Sequence, residues 1–167
     1  MIKTFNSLLV TMFGLGKIKF MPGTFGSLAT VIFLFYLFHS LNISSNIILI
    51  SLIIIFIYSF YAVSTHTESS KNKDPGEIII DEFLGQSIPI YLYEISHGTT
   101  KESDQAIVYY ALFFILFRYF DIMKPFPVNF FDKNFKNSFG VIMDDICAGL
   151  YVVLTVVCFM FIKSYVL

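Results

Sequence analysis

Charge is what this 167-residue chain has least of. Only 14% of its residues are Asp, Glu, Lys or Arg, while 56% fall in the hydrophobic set and the mean hydropathy is +0.75. An ordinary soluble domain carries about 25% charged residues. The 12 acidic and 11 basic side chains present here are too few to solvate a globule of this size. That balance is the opposite of a disordered chain's. An excess of basic charge is also missing. The formal net charge is −1, which leaves no basic patch for a phosphate backbone and argues against a nucleic acid partner. Cysteine is scarce too. Cys147 and Cys158 sit beside or inside apolar runs, where a reduced thiol behaves as a small hydrophobe, and two such residues make no disulfide scaffold. What remains is a single membrane-embedded domain over 1–167, a polytopic helical bundle.

Long apolar runs are what the chain does contain. Ile2, Phe5, Leu8, Leu9, Met12 and Phe13 recur at helical spacing, with Lys3, Asn6, Ser7 and Thr11 on the other side. This predicts a short amphipathic helix, ending at Gly14 and Gly16, that lies on a membrane surface or against the bundle. It is not read as a signal peptide, since no A-x-A site follows. Five apolar stretches come next: Ser27 to Leu41, Asn46 to Ser64, Phe83 to Ile95, Ala106 to Phe120 and Ile146 to Ile162. A span needs about 20 residues. The third stretch is short and broken by Gln86, Pro89 and Glu94, and is expected to be half-buried or re-entrant. The prediction is therefore four to five spanning or half-spanning helices. If the N-terminus is cytoplasmic, Lys3, Lys17, Lys19, Lys71, Lys73, Arg118, Lys124, Lys133 and Lys136 fall inside, and Lys101 and Lys163 outside. That is a strong positive-inside bias. The same topology gathers every conspicuous polar motif on one face of the membrane.

Four motifs on that face could carry chemistry. Met21-Pro22-Gly23-Thr24-Phe25-Gly26-Ser27 precedes the first span. It reads either as a backbone N–H cradle for phosphate or as a turn with Thr24 or Ser27 as helix cap. Asp81-Glu82 and Asp144-Asp145 each follow three apolar residues and are expected to open helices. One cap per helix would suffice, and a second adjacent carboxylate near hydrocarbon adds repulsion and desolvation cost. A cation such as Mg²⁺, a hard ion that favours oxygen ligands, would account for the pairs. On a helix, Asp144 and Asp145 point roughly 100° apart, so one of each pair could be the direct ligand. Finally, Arg118, Asp121 and Lys124 recur every three residues before Pro125. They read either as a salt-bridged helix end or as a general base with a phosphate counter-charge. His39, His66, His97 and Glu94 read as structural, solvated or snorkelling groups. No zinc spacing and no nucleophile motif appears.

Four blocks now stand in order along the chain. They are Pro22-Gly23-Thr24-x-Gly26-Ser27, Asp81-Glu82-x-x-Gly85, Phe117-Arg118-x-Phe120-Asp121-Ile122-x-Lys124-Pro125-x-Pro127 and Gly140-x-Ile142-Met143-Asp144-Asp145-x-x-Ala148-Gly149. Singly each is weak. Together they span 22 to 149, and the chain resembles the bacterial phosphatidylglycerophosphatase A family. The resemblance implies an all-α fold and a multi-pass enzyme of the cytoplasmic (inner) membrane with its active site on the cytoplasmic face. It implies Mg²⁺-dependent removal of the terminal phosphate of a phospholipid substrate, phosphatidylglycerophosphate. On that basis Asp81, Glu82, Asp144 and Asp145 are expected to hold Mg²⁺, with Asp121 orienting water or completing the metal shell. Lys124 is expected to clamp the phosphate, helped by Gly23, Thr24, Gly26, Ser27 and Arg118. A covalent aspartyl-phosphate stays open as a second route. The rival class is a small ion transporter with an acidic cytoplasmic-face site. The oligomeric state is not set by the sequence.

Overall fold

The computed structural model of the chain describes residues 2–69, 76–97 and 103–166, and the regular elements among them are all helices. In order they are α1 (Ile2–Val10), a 3-10 turn (Leu15–Lys17), α2 (Pro22–Phe35) with a π turn at its end (Tyr36–Ser40), α3 (Ser45–Ser69), α4 (Ile80–His97), α5 (Ser103–Met123), α6 (Val128–Asn134) and α7 (Ser138–Val166). Four segments are long and apolar enough to cross a membrane: Pro22–Ser40, Ser45–Glu68, Asp104–Met123 and Ser138–Tyr165. Each turns large apolar side chains outward, among them Ile32, Ile57, Ile115 and Phe161. A lipid solvent favours that arrangement and a water solvent penalises it. The chain is a helical membrane protein. Lys71, Lys73, Asp74 and Lys101, and the side chain of His97, lie outside the described residues.

Helix α4 corrects the expectation for the third stretch. It does not qualify as a span, yet it is one continuous helix, mostly buried rather than half-buried or re-entrant. It is the central post of the bundle, packed by α2, α3, α5 and α7. Ile80, Phe83, Leu84, Gln86, Ser87, Ile90 and Tyr93 are all buried. Polar residues are tolerated at that depth because protein rather than lipid surrounds them.

Helices α4 and α7 approach each other closely. Gly85 and Gly149 meet so tightly that a Cβ on Gly149 would overlap the Gly85 carbonyl oxygen, and a Cβ on Gly85 would overlap the Asp145 carbonyl. Small residues let helix backbones touch where lipid offers no hydrophobic drive for packing. Pro89 contributes to the same contact. It has no N–H to return to the carbonyl four residues earlier, which is that of Gly85. The freed carbonyl faces Gly149.

Two helix starts differ from expectation. α2 begins at Pro22 rather than Ser27, because proline suits the first turn, where its missing N–H costs nothing. α7 begins at Ser138, well before Ile146, so Asp144 and Asp145 lie inside a helix and cap nothing. Helix α1 buries a polar residue beside apolar Val10. Its polar Asn6 is buried and bridges to α3, donating to Thr65 Oγ1 at 2.6 Å and accepting from the Tyr58 hydroxyl at 2.7 Å. Ile2, Phe5 and Leu8 face outward.

At the far end of the bundle, His39 proves structural, one of the two roles expected of it, while Glu94 does not snorkel. The two form a buried contact at 3.2 Å, and the Tyr110 hydroxyl donates to the same Glu94 oxygen at 3.1 Å. The cluster ties the ends of α2 and α4 to the start of α5. His66, expected to be solvated, pairs with Glu77 at 2.9 Å.

The α4–α7 contact predicts the effect of a single methyl group. Gly149→Ala should lower stability by about 1–3 kcal/mol through overpacking against backbone. Gly76→Ala, where a Cβ would meet open space, should leave stability unchanged. Thermal unfolding of the detergent-solubilised protein measures both.

Candidate active site

A cavity of about 390 Å³ opens at the end of the bundle where α2, α4 and α7 begin and α5 ends. Its walls carry Pro22, Gly23 and Thr24 from α2, Asp81 and Glu82 from α4, and Arg118 and Asp121 from α5. Lys124, Asp132 from α6, and Asp144 and Asp145 from α7 complete the polar lining. Groups from five helices therefore share one chamber.

Asp81 and Glu82 stand in the first turn of α4, as expected. The α4–α7 contact carries them against Asp145. Gly85 is one turn beyond Asp81, and Gly149 is one turn beyond Asp145. One carboxylate oxygen from each of Asp81, Glu82 and Asp145 lies within 4.8 Å of the other two. None of the three forms a salt bridge among the described residues. Asp81 Oδ1 and Glu82 Oε2 are buried with no hydrogen-bond partner. Burial raises Asp81 well above the usual carboxylate value, and the adjacent Glu82 charge adds to the effect. Burial likewise lifts Glu82 to about 7, with the charge of Asp121 adding, and Asp81 and Arg118 opposing. Three buried carboxylates around one point, two of them with orphaned oxygens, form a donor set that a hard divalent cation fits.

Asp144 is placed differently from its three expected partners. Its Oδ2 accepts from Lys124 Nζ at 3.0 Å, and its Oδ1 accepts from the backbone N–H of Asp145 at 3.0 Å. It stands beside the three-acid cluster and links it to a lysine. Lys124 terminates α5 in a left-handed backbone conformation, φ 44°, and also donates to Asp132 Oδ1 at 2.7 Å. Burial alone would lower its pKa. The paired contacts with Asp132 and Asp144 outweigh burial and hold it above the ordinary lysine value. Lys124 therefore stays charged. Asp132 was not singled out in the sequence, because nothing in the Phe-rich segment around it marks one acid among several.

Arg118 and Asp121 do share a face of α5 and bond at 2.7 Å. Arg118 also reaches Ser27 Oγ at 3.4 Å, and its Nε is buried without a partner. The bland and the functional readings of this motif thus coincide: a salt-bridged helix end that also lines the cavity.

The Pro22–Ser27 block divides. Gly23 lines the cavity, and a Cβ there would overlap Glu82 Oε1, so its bare Cα makes room for that carboxylate. Thr24 lines the cavity with a buried hydroxyl that has no partner. The N–H groups of Thr24 and Phe25 are both taken up by the Met21 carbonyl, so the expected cradle of free backbone donors is not formed by them. Neither Thr24 nor Ser27 caps the helix, because both lie within it. Gly26 is buried against Ile79, and Ser27 Oγ donates to the Gly23 carbonyl at 2.8 Å. These two residues pack α2 rather than line the chamber.

Fold and chamber together define a helical membrane protein with a charged chamber at one end of its bundle. The chain belongs to the phosphatidylglycerophosphatase A family, whose model matches residues 8–160. That membership makes it a phosphatase of lipid metabolism. It is similar to the Phosphatidylglycerophosphatase A of Haemophilus influenzae, at 36% identity over 89% of this chain and 85% of the relative. It is similar to the Escherichia coli protein of the same name, at 29% identity over 86% of this chain and 76% of the relative. A Bacteroides thetaiotaomicron protein, provisionally named a phosphatidylinositol-3-phosphatase, is 33% identical over 86% of both chains. No solved structure matches the chain.

Crowded, desolvated carboxylates predict a trade of stability against binding. Asp145→Asn should melt at a higher temperature than the wild type in chelator, since it removes one buried like charge. Added Mg²⁺ should raise the melting temperature of the wild type and not that of the variant. Differential scanning calorimetry with and without chelator measures both effects.

Proposed function

We propose that the chain is a Mg²⁺-dependent lipid phosphatase that hydrolyses phosphatidylglycerophosphate to phosphatidylglycerol and inorganic phosphate. Its working face is the cytoplasmic side of the bacterial inner membrane. The observation that carries this reading is the presence, in one chamber at the end of the bundle, of three carboxylates with no salt bridge among the described residues beside two cations, Lys124 and Arg118. Family membership supports the substrate class.

Asp81, Glu82 and Asp145 would hold the Mg²⁺, and Asp144 would set the charge balance between that cluster and Lys124. When bound, the ion neutralises charge on the non-bridging oxygens of the phosphate. The rest of the work belongs to the chain. Lys124 Nζ and the Arg118 guanidinium supply fixed positive charge, whose attraction for the transferring group grows as negative charge builds on it. The Thr24 hydroxyl is a buried donor aimed at the same chamber. Asp121, oriented by Arg118, positions the attacking water and accepts its proton at a carboxylate oxygen, then returns that proton to the glycerol oxygen that leaves as the P–O bond of the lipid breaks. Asp132 bonds the same Lys124 ammonium as Asp144 and helps to hold it in place at the chamber.

The transporter alternative is disfavoured by the core. Ile90, Phe113 and Phe117 are almost fully buried and stand between the acidic chamber and the His39–Glu94–Tyr110 cluster at the far end. An ion crossing the bundle would have to pass that apolar layer.

Phosphate release from phosphatidylglycerophosphate in mixed micelles tests the reading. Chelation should abolish turnover and Mg²⁺ should restore it. Lys124→Ala and Asp144→Asn should each lower kcat by about 10²–10³, the usual loss for one preorganised electrostatic partner. Phosphatidylinositol 3-phosphate, run in parallel, should be the poorer substrate. Full activity in chelator, or a preference for the inositol lipid, would contradict the proposal.

A further inference from the structure

The chamber has two unlike flanks. On one side its lining is polar and solvent-facing, with Asp132, Lys136 and Gly76. On the other side are Met21, at the start of α2, and Ile122, at the end of α5. These two line the chamber and are also exposed on the outer surface, at 48% and 63%. The remaining apolar lining residues are buried or half-buried. Met21 leads an outward apolar stripe on α2, continued by Phe25 and Leu28, and Ile122 ends one on α5 formed by Tyr119 and Ile115. Both stripes run from the chamber into the membrane-spanning part of their helices. The opposite wall, toward α3, is closed. There Phe60 stacks on Phe139, Phe139 packs against Phe135, and Ile80, Phe83 and Ile142 are buried behind them.

We propose that the phospholipid reaches the chamber sideways from the bilayer, through the seam between the start of α2 and the end of α5. Met21 and Ile122 hold the junction of glycerol and acyl chains while the phosphate lies inside. This deepens the proposed function and rests on it. The chemistry of the seam fits one occupant, a diacyl lipid bearing a terminal phosphate monoester. Arg118, whose guanidinium bonds Asp121 and approaches Ser27 of α2, stands just inside the seam and complements the anionic end. The exposed stripes complement the acyl end. Headgroup and chains of one lipid are thereby held at adjacent depths, with no need to lift the lipid from the membrane. Met21 and Ile122 are then the residues that make the enzyme prefer a membrane lipid to a soluble phosphate monoester of the same headgroup.

The test compares phosphate release from long-chain phosphatidylglycerophosphate in mixed micelles with release from its water-soluble dibutyryl counterpart. In a Met21→Gln/Ile122→Gln double variant, the ratio of kcat/KM for the long-chain to the short-chain substrate should fall at least tenfold, mostly through KM. Ile57→Gln, on the lipid-facing side of α3 away from the chamber, should keep the wild-type ratio. A second measurement does not depend on the variants folding. Wild-type protein is irradiated with phosphatidate carrying a diazirine on the first carbons of one acyl chain, and the labelled peptides are mapped. Labels on 21–28 or 115–123 support the seam. Labels confined to α3 and α7, or an unchanged substrate ratio in the double variant, overturn it while leaving the phosphatase reading standing. A wild-type protein that releases phosphate from neither substrate overturns both.

Discussion

Everything at the working end of this bundle depends on how closely α4 and α7 approach. Gly85 and Gly149 let the two backbones touch, and the acids one helical turn away on each helix are carried together with them. The contact is steric and local, worth little by itself. Its consequence is electrostatic: Asp81 and Glu82 are forced beside Asp145 in a place where water cannot screen them. A fold that imposes such repulsion is easiest to understand as one that completes itself with a cation. The helix pair sets the spacing, and under the proposed function a bound Mg²⁺ would relieve the charge.

The other charged groups are arranged around that core as a second, self-contained unit. Lys124 is held between Asp132 and Asp144, and Arg118 is held by Asp121. Their positive charges are fixed in direction before any anion arrives, which is what electrostatic preorganisation requires. Asp144 belongs to both units, bonding a lysine with one oxygen and the Asp145 backbone with the other. The far end of the bundle is built on the same principle for a different purpose. There His39, Glu94 and Tyr110 satisfy one another and leave a lock between helices rather than an open site.

Much of this was legible in the residues, and the failures have physical reasons. Hydropathy and charge placement gave the helical membrane bundle, since lipid leaves few alternatives for a backbone. Gathering the motifs at one end followed from the topology alone. Helix starts were misjudged because apolar runs mark the lipid-facing part of a helix and not its first turn. Ser138 and Pro22 both begin helices in polar sequence. α4 was read as a weak span because its own polarity is visible in sequence, while the four helices that shield it are not. Asp144 and Asp145 look equivalent as neighbours, but only the three-dimensional position of Lys124 separates their partners. The burial of Asn6 in α1 depends on its finding Tyr58 and Thr65, a contact between residues far apart in the chain. The reading of Gly26 and Ser27 as substrate groups followed the motif. Their placement in the helix interior gives them packing neighbours instead.

The most direct measurement is a crystal structure of the protein soaked with Mn²⁺ as an anomalously scattering stand-in for Mg²⁺. The account predicts an anomalous peak enclosed by the carboxylates of Asp81, Glu82 and Asp145, with Lys124 still bonded to Asp144. Saturating Mn²⁺ that leaves those three carboxylates without a peak between them would contradict it.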